Sequence, residues 1–127
     1  MRLVIVRHAE AAAGSPDELR PLTPEGREQA RSLGQRLRDE LGEPDAVLSS
    51  PLLRARETAL GLGLGAPEPD ERLAPGATAE TVREAVRDRG TTVVVVAHQP
   101  DCARIAAALG DGTEPAFPPA GVHVIEL

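Results

Sequence analysis

The chain contains no lysine, a single cysteine and a single residue among Phe, Trp and Tyr, and each scarcity excludes a class of function. All 14 basic residues are arginines. Without lysine the chain cannot form a P-loop or a Schiff base, because both need the lysine amine. Phe117 alone cannot build a surface on which nucleic-acid bases stack. Cys102 has no partner for an internal disulfide.

Long apolar runs are also missing, and the net charge is acidic. Runs such as residues 93–97 are far too short to cross a bilayer, and the N-terminus lacks the apolar stretch of a signal peptide. We therefore expect a cytoplasmic protein without a membrane partner. A net charge of −6 argues against nucleic acid as a partner. With 127 residues, of which 41% are hydrophobic, the chain is expected to form a single domain over residues 1–127.

Alternating strand and helix patterns predict an α/β fold. Residues 3–6 and 91–97 are continuous apolar runs, which are typical of strands buried on both faces. Residues 46–49 form a weaker strand candidate, and residues 121–127 alternate as an edge strand does. Helical periodicity marks residues 24–41, 52–61, 79–89 and 100–109. The pattern predicts a three-layer α/β/α fold with a mostly parallel central sheet and an antiparallel edge strand. Residues 61–75 are interpreted as a long connection.

Four polar residues follow the predicted strands at the point where each strand ends. Arg7 and His8 follow the first strand, His98 follows the valine-rich strand, and Arg54 lies just beyond Ser49-Ser50-Pro51. Ligands of open α/β sheets bind beyond the carboxyl ends of the strands. If the three strands are parallel neighbours, the four side chains meet at one edge of the sheet.

Two arginines and two histidines in one pocket suit metal-free phosphoryl transfer. Guanidinium groups pair with phosphate oxygens, and a neutral imidazole is a competent nucleophile. Nearby arginines lower the pKa of a histidine, which keeps His8 unprotonated. The second histidine, His98, can stabilise charge on the transferred group when it is protonated. We expect no cofactor and no metal, since the three histidines lack the spacing of a zinc site.

Four ordered motifs resemble the histidine phosphatase superfamily, which includes the phosphoglycerate mutases. They are Val-Arg-His-Ala-Glu at residues 6–10, Leu-Thr-Pro-Glu-Gly-Arg-Glu-Gln-Ala at 22–30, Ser-Ser-Pro-Leu-Leu-Arg-Ala-Arg-Glu-Thr-Ala at 49–59, and the strand 93–98. The short length and Arg20-Pro21-Leu22-Thr23 are most similar to the SixA branch of phosphohistidine phosphatases. The resemblance implies a phosphoglycerate mutase-like fold. One departure is Ala9, where the wider family usually has glycine; its methyl group is tolerable at negative φ.

By this resemblance His8 is the nucleophile, Arg7 and Arg54 bind phosphate, His98 completes the pocket, and Arg20 reaches its rim. Larger members of the superfamily protonate the departing oxygen with a carboxylate. Glu80 is the positional candidate for this general acid, and Glu10 and Asp17 are alternatives; for each of the three, an ordinary solvated acid is the simpler interpretation.

Other polar residues are interpreted as structural. Arg56 is expected to face away from the pocket, and His123 to be structural or exposed on the edge strand. Cys102 is expected to be a small core residue, because cysteine phosphatases need an arginine six positions later and Ala108 stands there.

The leading hypothesis is a phosphatase that hydrolyses phosphohistidine on a protein. Few residues are left between the core elements for a lid, so an open site could admit a protein side chain. The alternatives are a phosphomonoesterase for a small sugar or nucleotide phosphate, and a binding module without turnover. A mutase is disfavoured because it must enclose its substrate. The oligomeric state and the identity of the substrate protein stay open.

Overall fold

The computed structural model covers residues 1–127 and contains five strands and four α-helices. In chain order they are β1 (Arg2–Arg7), α1 (Pro24–Leu41), β2 (Ala46–Ser49), α2 (Leu53–Gly61), β3 (Glu68–Pro69), α3 (Ala79–Val86), β4 (Thr92–Ala97), α4 (Asp101–Leu109) and β5 (Val122–Glu126). Two short 3-10 turns are formed by Asp17–Leu19 and Glu71–Leu73.

All five strands join in one sheet with the order β3-β2-β4-β1-β5. β1 and β2 both pair in parallel with β4, and β3 pairs in parallel with β2. β5 runs antiparallel to β1 at one edge of the sheet. The predicted α/β fold, with its mostly parallel sheet and antiparallel edge strand, is confirmed. The sequence pattern does not predict β3, which lies in the segment interpreted as a connection.

Helices cover both faces of this sheet, because successive strand residues point to opposite sides. Val4 of β1 packs on one face in a cluster with Leu33 of α1 and Ala59 of α2. Leu3 packs on the other face in a larger cluster that includes Val82 of α3. Burial of the strands on both faces explains why their sequences are continuous apolar runs.

α1 begins and ends at the residues that its sequence signals indicate. Thr23 Oγ1 accepts a hydrogen bond from the Gly26 amide at 2.9 Å, and Pro24 occupies the first helical position. The helix ends at Leu41, and Gly42 follows with a φ of 76°, in the left-handed region that favours glycine. Caps at both ends therefore define the helix that carries the predicted motif of residues 22–30.

α3 is shorter than the sequence pattern predicts. The helix expected over residues 79–89 ends at Val86, because Arg87 has left the helical region and Asp88 has a φ of 59°. A residue in the left-handed region does not continue a right-handed helix. The prediction of this boundary is therefore wrong by three residues.

α4 starts directly after the turn that carries His98. Its second residue, Cys102, is fully buried in the core, as predicted, and burial raises the pKa of the Cys102 thiol to about 12. Of the four helices, none combines the length and the apolar character needed to cross a bilayer.

Candidate active site

The two histidines lie side by side at the carboxyl ends of neighbouring strands. Arg7 ends β1 and Ala97 ends β4, and these two residues are paired in the parallel register. His8 and His98 are the next residue of each strand, and their ring centroids lie 5.4 Å apart. β2 ends at the same edge and leads through Ser50 into α2. The convergence expected from the sequence is therefore present.

His8 is held with one ring nitrogen free. Its Nδ1 lies 2.7 Å from the carbonyl oxygen of Ala9, and a carbonyl only accepts, so Nδ1 carries the proton and Nε2 keeps its lone pair. Burial lowers the pKa of His8 below its usual value, and the charges of Arg54, Arg7 and Arg20 lower it further, against an opposing contribution from the Ala9 hydrogen bond. His8 is thus a neutral imidazole at neutral pH.

His98 is buried and is oriented by Ser50. Its Nε2 lies 2.7 Å from Ser50 Oγ, which itself accepts a hydrogen bond from the Leu52 amide at 3.2 Å. The other ring nitrogen, Nδ1, is buried without a hydrogen-bond partner in the protein. Burial, followed by electrostatic interaction with His8 and Arg54, lowers the pKa of His98 to about 4. The ring is therefore uncharged at neutral pH, and not protonated as expected from the sequence.

Arg54 lies in the first turn of α2 with its side chain almost fully buried. Its Nη1 donates to the carbonyl oxygen of Asp17 at 2.9 Å, and its Nη2 donates to Asp17 Oδ2 at 3.2 Å. Arg20 Nη1 binds the other carboxylate oxygen, Oδ1, at 3.1 Å. The rim residue proposed from the sequence, Arg20, is therefore linked to the pocket through Asp17.

Arg7 extends from the end of β1 toward the segment before β5. Its Nη1 donates to the carbonyl oxygen of Phe117 at 2.9 Å. Its Nε is buried and has no acceptor in the protein. With Nη1 anchored in this way, the guanidinium keeps further N–H donors that can bind an anion.

Two motif residues to which the sequence assigned no role fix the backbone beside His8. Thr58 Oγ1 accepts from the Ala9 amide at 2.9 Å and donates to the carbonyl of Arg54 at 2.7 Å. Gln29 Oε1 accepts from the Glu10 amide at 2.9 Å. Gln29 lies in the motif at residues 22–30, and Thr58 lies in the motif at residues 49–59. Their positions in these motifs are the sequence signal that could have identified them.

Ala9 fits its place without strain. It is fully buried, its φ is not positive, and it clusters with Leu22 and Ala30. The methyl group that departs from the family pattern is therefore accommodated at negative φ, as expected.

The three carboxylates considered as a general acid occupy different environments. Glu10 Oε1 accepts a hydrogen bond from Thr23 Oγ1 at 2.9 Å. Asp17 is bound by two arginines, and Arg20 first and Arg54 second hold the pKa of its carboxyl below the usual value. Glu80 is exposed on α3 and lines a cavity of about 600 Å³ with Asp101, and no hydrogen bond or ion pair joins it to either pocket histidine. The structure does not bring Glu80 together with the pocket residues.

The remaining polar residues lie outside the pocket. Arg56 is exposed and lines a cavity against Pro67 and Pro69, away from His8. His123 contacts Phe117 edge-on, with ring centroids 6.5 Å apart. No group of three or more His, Cys, Asp or Glu side chains is arranged to hold a metal ion.

Residues 3–75 match the family model described as histidine phosphatase superfamily, branch 1. The chain belongs to the histidine phosphatase superfamily. The match covers β1 with His8 and α2 with Arg54, and β4 with His98 lies beyond it.

Full-length relatives place this histidine phosphatase near the SixA branch. It is 30% identical over 138 residues to phosphohistidine phosphatase SixA of Escherichia coli, covering 100% of this chain and 86% of that protein. It is 38% identical over 138 residues to an uncharacterised protein of Mycobacterium tuberculosis, covering 96% of this chain and 87% of that one. The structure of the protein histidine phosphatase SixA complexed with tungstate superposes with a TM-score of 0.90 at 28% identity, over 100% of this chain and 88% of the other.

Proposed function

We propose that this histidine phosphatase hydrolyses phosphohistidine on a protein through a covalent phosphohistidine intermediate at His8. The two pocket arginines bind the phosphoryl oxygens, and His98 donates its free Nδ1–H to the same group. The phosphoryl group then lies between His8 Nε2 and solvent, into which the leaving group departs. The similarity to a protein named phosphohistidine phosphatase supports this substrate class.

The first step transfers the phosphoryl group to His8. The lone pair of Nε2 forms a bond to phosphorus, and the nitrogen–phosphorus bond of the substrate breaks with its electron pair returning to the leaving imidazole. If that imidazole is already protonated on its other nitrogen, it leaves as a neutral ring and needs no proton donor. His8 becomes positively charged, and its Nδ1–H keeps its bond to the Ala9 carbonyl.

The second step returns His8 to its resting state. Water attacks phosphorus, and the bond to Nε2 breaks with its electron pair returning to the ring. The proton that the water loses is carried away on inorganic phosphate. No metal ion is required for either step, because arginine and histidine donors stabilise the negative charge on the phosphoryl oxygens.

The observation that carries the preference for nitrogen-linked phosphate is the state of the nearby carboxylates. Glu10 is engaged by Thr23, and Asp17 is kept ionised by Arg20 and Arg54. An ionised Asp17 has no proton to donate to a departing alkoxide. Phosphate esters of poor leaving groups depend on such a donor, whereas a protonated phosphoimidazole does not.

The proposal is tested with a substrate panel and a rapid quench. Purified protein is incubated with a phosphohistidine protein, phosphoramidate and sugar phosphates in the presence of a chelator. We expect kcat/KM to favour the nitrogen-linked phosphates, and an acid-labile phosphate to accumulate on His8 within one turnover. Faster hydrolysis of the esters would instead support a phosphomonoesterase.

Two histidine variants distinguish the loss of the nucleophile from the general effect of removing an imidazole. His8→Ala should abolish turnover and the acid-labile phosphate while the circular dichroism spectrum stays unchanged. His123→Ala, at the histidine outside the pocket, should leave both intact. Turnover that survives His8→Ala would disprove the mechanism, and phosphate binding without turnover in the unaltered protein would indicate a binding module.

A further inference from the structure

The segment that follows His8 places a carboxylate at the mouth of the pocket. Residues 13–19 are exposed, and Asp17 opens the short 3-10 turn within them. The Asp17 side chain is 61% exposed, yet both of its carboxylate oxygens bind arginines that line or rim the pocket. This carboxylate therefore faces solvent on one side and the phosphate-binding Arg54 on the other.

The charge of Asp17 acts on the pocket itself. It opposes the lowering of the His98 pKa, which places its negative charge within electrostatic reach of that buried ring. Arg20 and Arg54 hold the pKa of the Asp17 carboxyl below its usual value, so the group stays ionised at neutral pH. It is an acceptor of hydrogen bonds and not a donor of protons.

Arg20 and Arg54 partly compensate the negative charge of Asp17, and a positive charge on the substrate would compensate it further. A phosphate ester brings none, because its leaving group is a neutral alkoxy group. A protonated phosphoimidazole does, because the ring carries a positive charge and an N–H on the nitrogen that is not bonded to phosphorus. In-line attack by His8 Nε2 directs that ring away from His8. Asp17, which is bound to the pocket arginine Arg54 and is exposed on its other side, can meet a ring that leaves toward solvent.

We propose that Asp17 is a specificity-determining residue that accepts a hydrogen bond from the N–H of the substrate's leaving imidazolium ring. This inference rests on the proposed function. It identifies Asp17 as the residue that selects phosphohistidine over phosphate esters. Arg20 and Arg54 hold Asp17 in place through separate oxygens. No proton moves to or from Asp17: the ring arrives with its N–H, the nitrogen–phosphorus bond breaks with its electron pair returning to the ring, and a neutral imidazole leaves.

The test is the selectivity between two substrate classes in Asp17→Asn. Asparagine keeps the size and one acceptor oxygen of the side chain but removes its charge. We expect kcat/KM for a phosphohistidine peptide to fall by about threefold to tenfold, the range of a solvent-exposed charged hydrogen bond. Over the same change, kcat/KM for 4-nitrophenyl phosphate should be unchanged or higher, because repulsion of the phosphate is relieved.

Other roles of Asp17 give different outcomes. If Asp17 only positioned Arg54, both substrate classes would lose activity by the same factor; if it only blocked Arg54, both would gain. Either result would overturn the inference. Glu18→Gln is the matched control, since Glu18 is the adjacent exposed carboxylate of the same turn and forms no ion pair.

Failure of the proposed function is seen separately, in the unaltered protein. If the unaltered protein shows no preference for nitrogen-linked phosphate, the proposed function fails. If that preference is present and Asp17→Asn retains it in full, only the role of Asp17 fails.

Discussion

Ser49 and Ser50 are consecutive buried residues whose hydroxyl groups have different surroundings. Ser50 Oγ accepts from the Leu52 amide, so its own proton is available for His98 Nε2. With Nε2 accepting, the ring proton resides on Nδ1, the nitrogen that has no partner in the protein. A proton donated by Ser50 to Nε2 therefore leaves the Nδ1–H of His98 to donate to a bound phosphoryl group. Ser49 Oγ has no hydrogen-bond partner at all.

We predict that Ser50→Ala lowers kcat for phosphoramidate by about threefold to tenfold, the loss expected for one neutral hydrogen bond. KM should change little, because the arginines that we propose bind phosphate are unaltered. Ser49→Ala is the matched control, since it removes a neighbouring buried hydroxyl that binds nothing. Equal losses of kcat in the two variants, measured by phosphate release, would show that Ser50 does not orient His98.

At the scale of elements, α1 and the end of α2 approach each other through a glycine. Gly34 is buried in α1, and a Cβ at this position would overlap the backbone carbonyl of Leu62. In a helix interior an alanine is intrinsically more favourable than glycine by about 1 kcal/mol. The overlap opposes that gain, and a backbone oxygen cannot rotate away as a flexible side chain can.

We predict that Gly34→Ala lowers the free energy of unfolding by about 1–3 kcal/mol, because steric overlap with the backbone outweighs helix propensity. Urea denaturation measures the change. Gln35→Ala tests the propensity alone, since Gln35 is the adjacent exposed residue of the same helix, and it should be neutral or slightly stabilising. An increase in stability for Gly34→Ala would mean that the two helices separate at no cost.

The elements that the sequence predicts well are those with local signals. α1 has a cap, a first-turn proline and a terminal glycine, and its predicted bounds agree with the structure. β3 carries no such signal, because it has two residues, one of them a proline, and forms only by pairing with β2. α3 ends early because Asp88 adopts a left-handed backbone that composition does not reveal.

The candidate site also has one part that the sequence predicts and one part that it does not. Strand ends and motifs bring Arg7, His8, Arg54 and His98 together from sequence alone. The bonds from Arg54 to Asp17 join positions 37 residues apart across a loop without periodicity, so no pattern could predict them.

At the scale of the whole molecule, we expect a fall in pH to lower the free energy of unfolding mainly through the buried histidine His98. The chain has a net charge of −6 near neutrality and an isoelectric point of about 5.0, so mild acidification brings it toward zero charge. Repulsion between like charges therefore does not increase between pH 7 and 5. His98 has a folded pKa of about 4, whereas an unfolded histidine titrates near its usual 6.5. The unfolded chain binds more protons in this interval, so stability falls as pH falls.

We predict that lowering the pH from 7 to 5 reduces the free energy of unfolding by about 2 kcal/mol through His98. His8, whose pKa is also lowered, adds to the loss in the same direction. Urea denaturation at the two pH values measures the change. His98→Gln should show a smaller pH dependence than the unaltered protein, and an identical dependence would show that His98 is not the source.

The parallel register between β1 and β4 has a consequence for how this scaffold can vary. Because Arg7 pairs with Ala97, the spacing of the two pocket imidazoles follows from the distance between adjacent strands rather than from any connecting segment. Segments such as residues 61–67 or 110–121 can therefore change in length and leave that spacing intact. One residue added or removed within β4 would instead turn His98 to the opposite face of the sheet. The spacing of the two imidazoles is thus tolerant of length changes in such connections and intolerant of length changes within the strands.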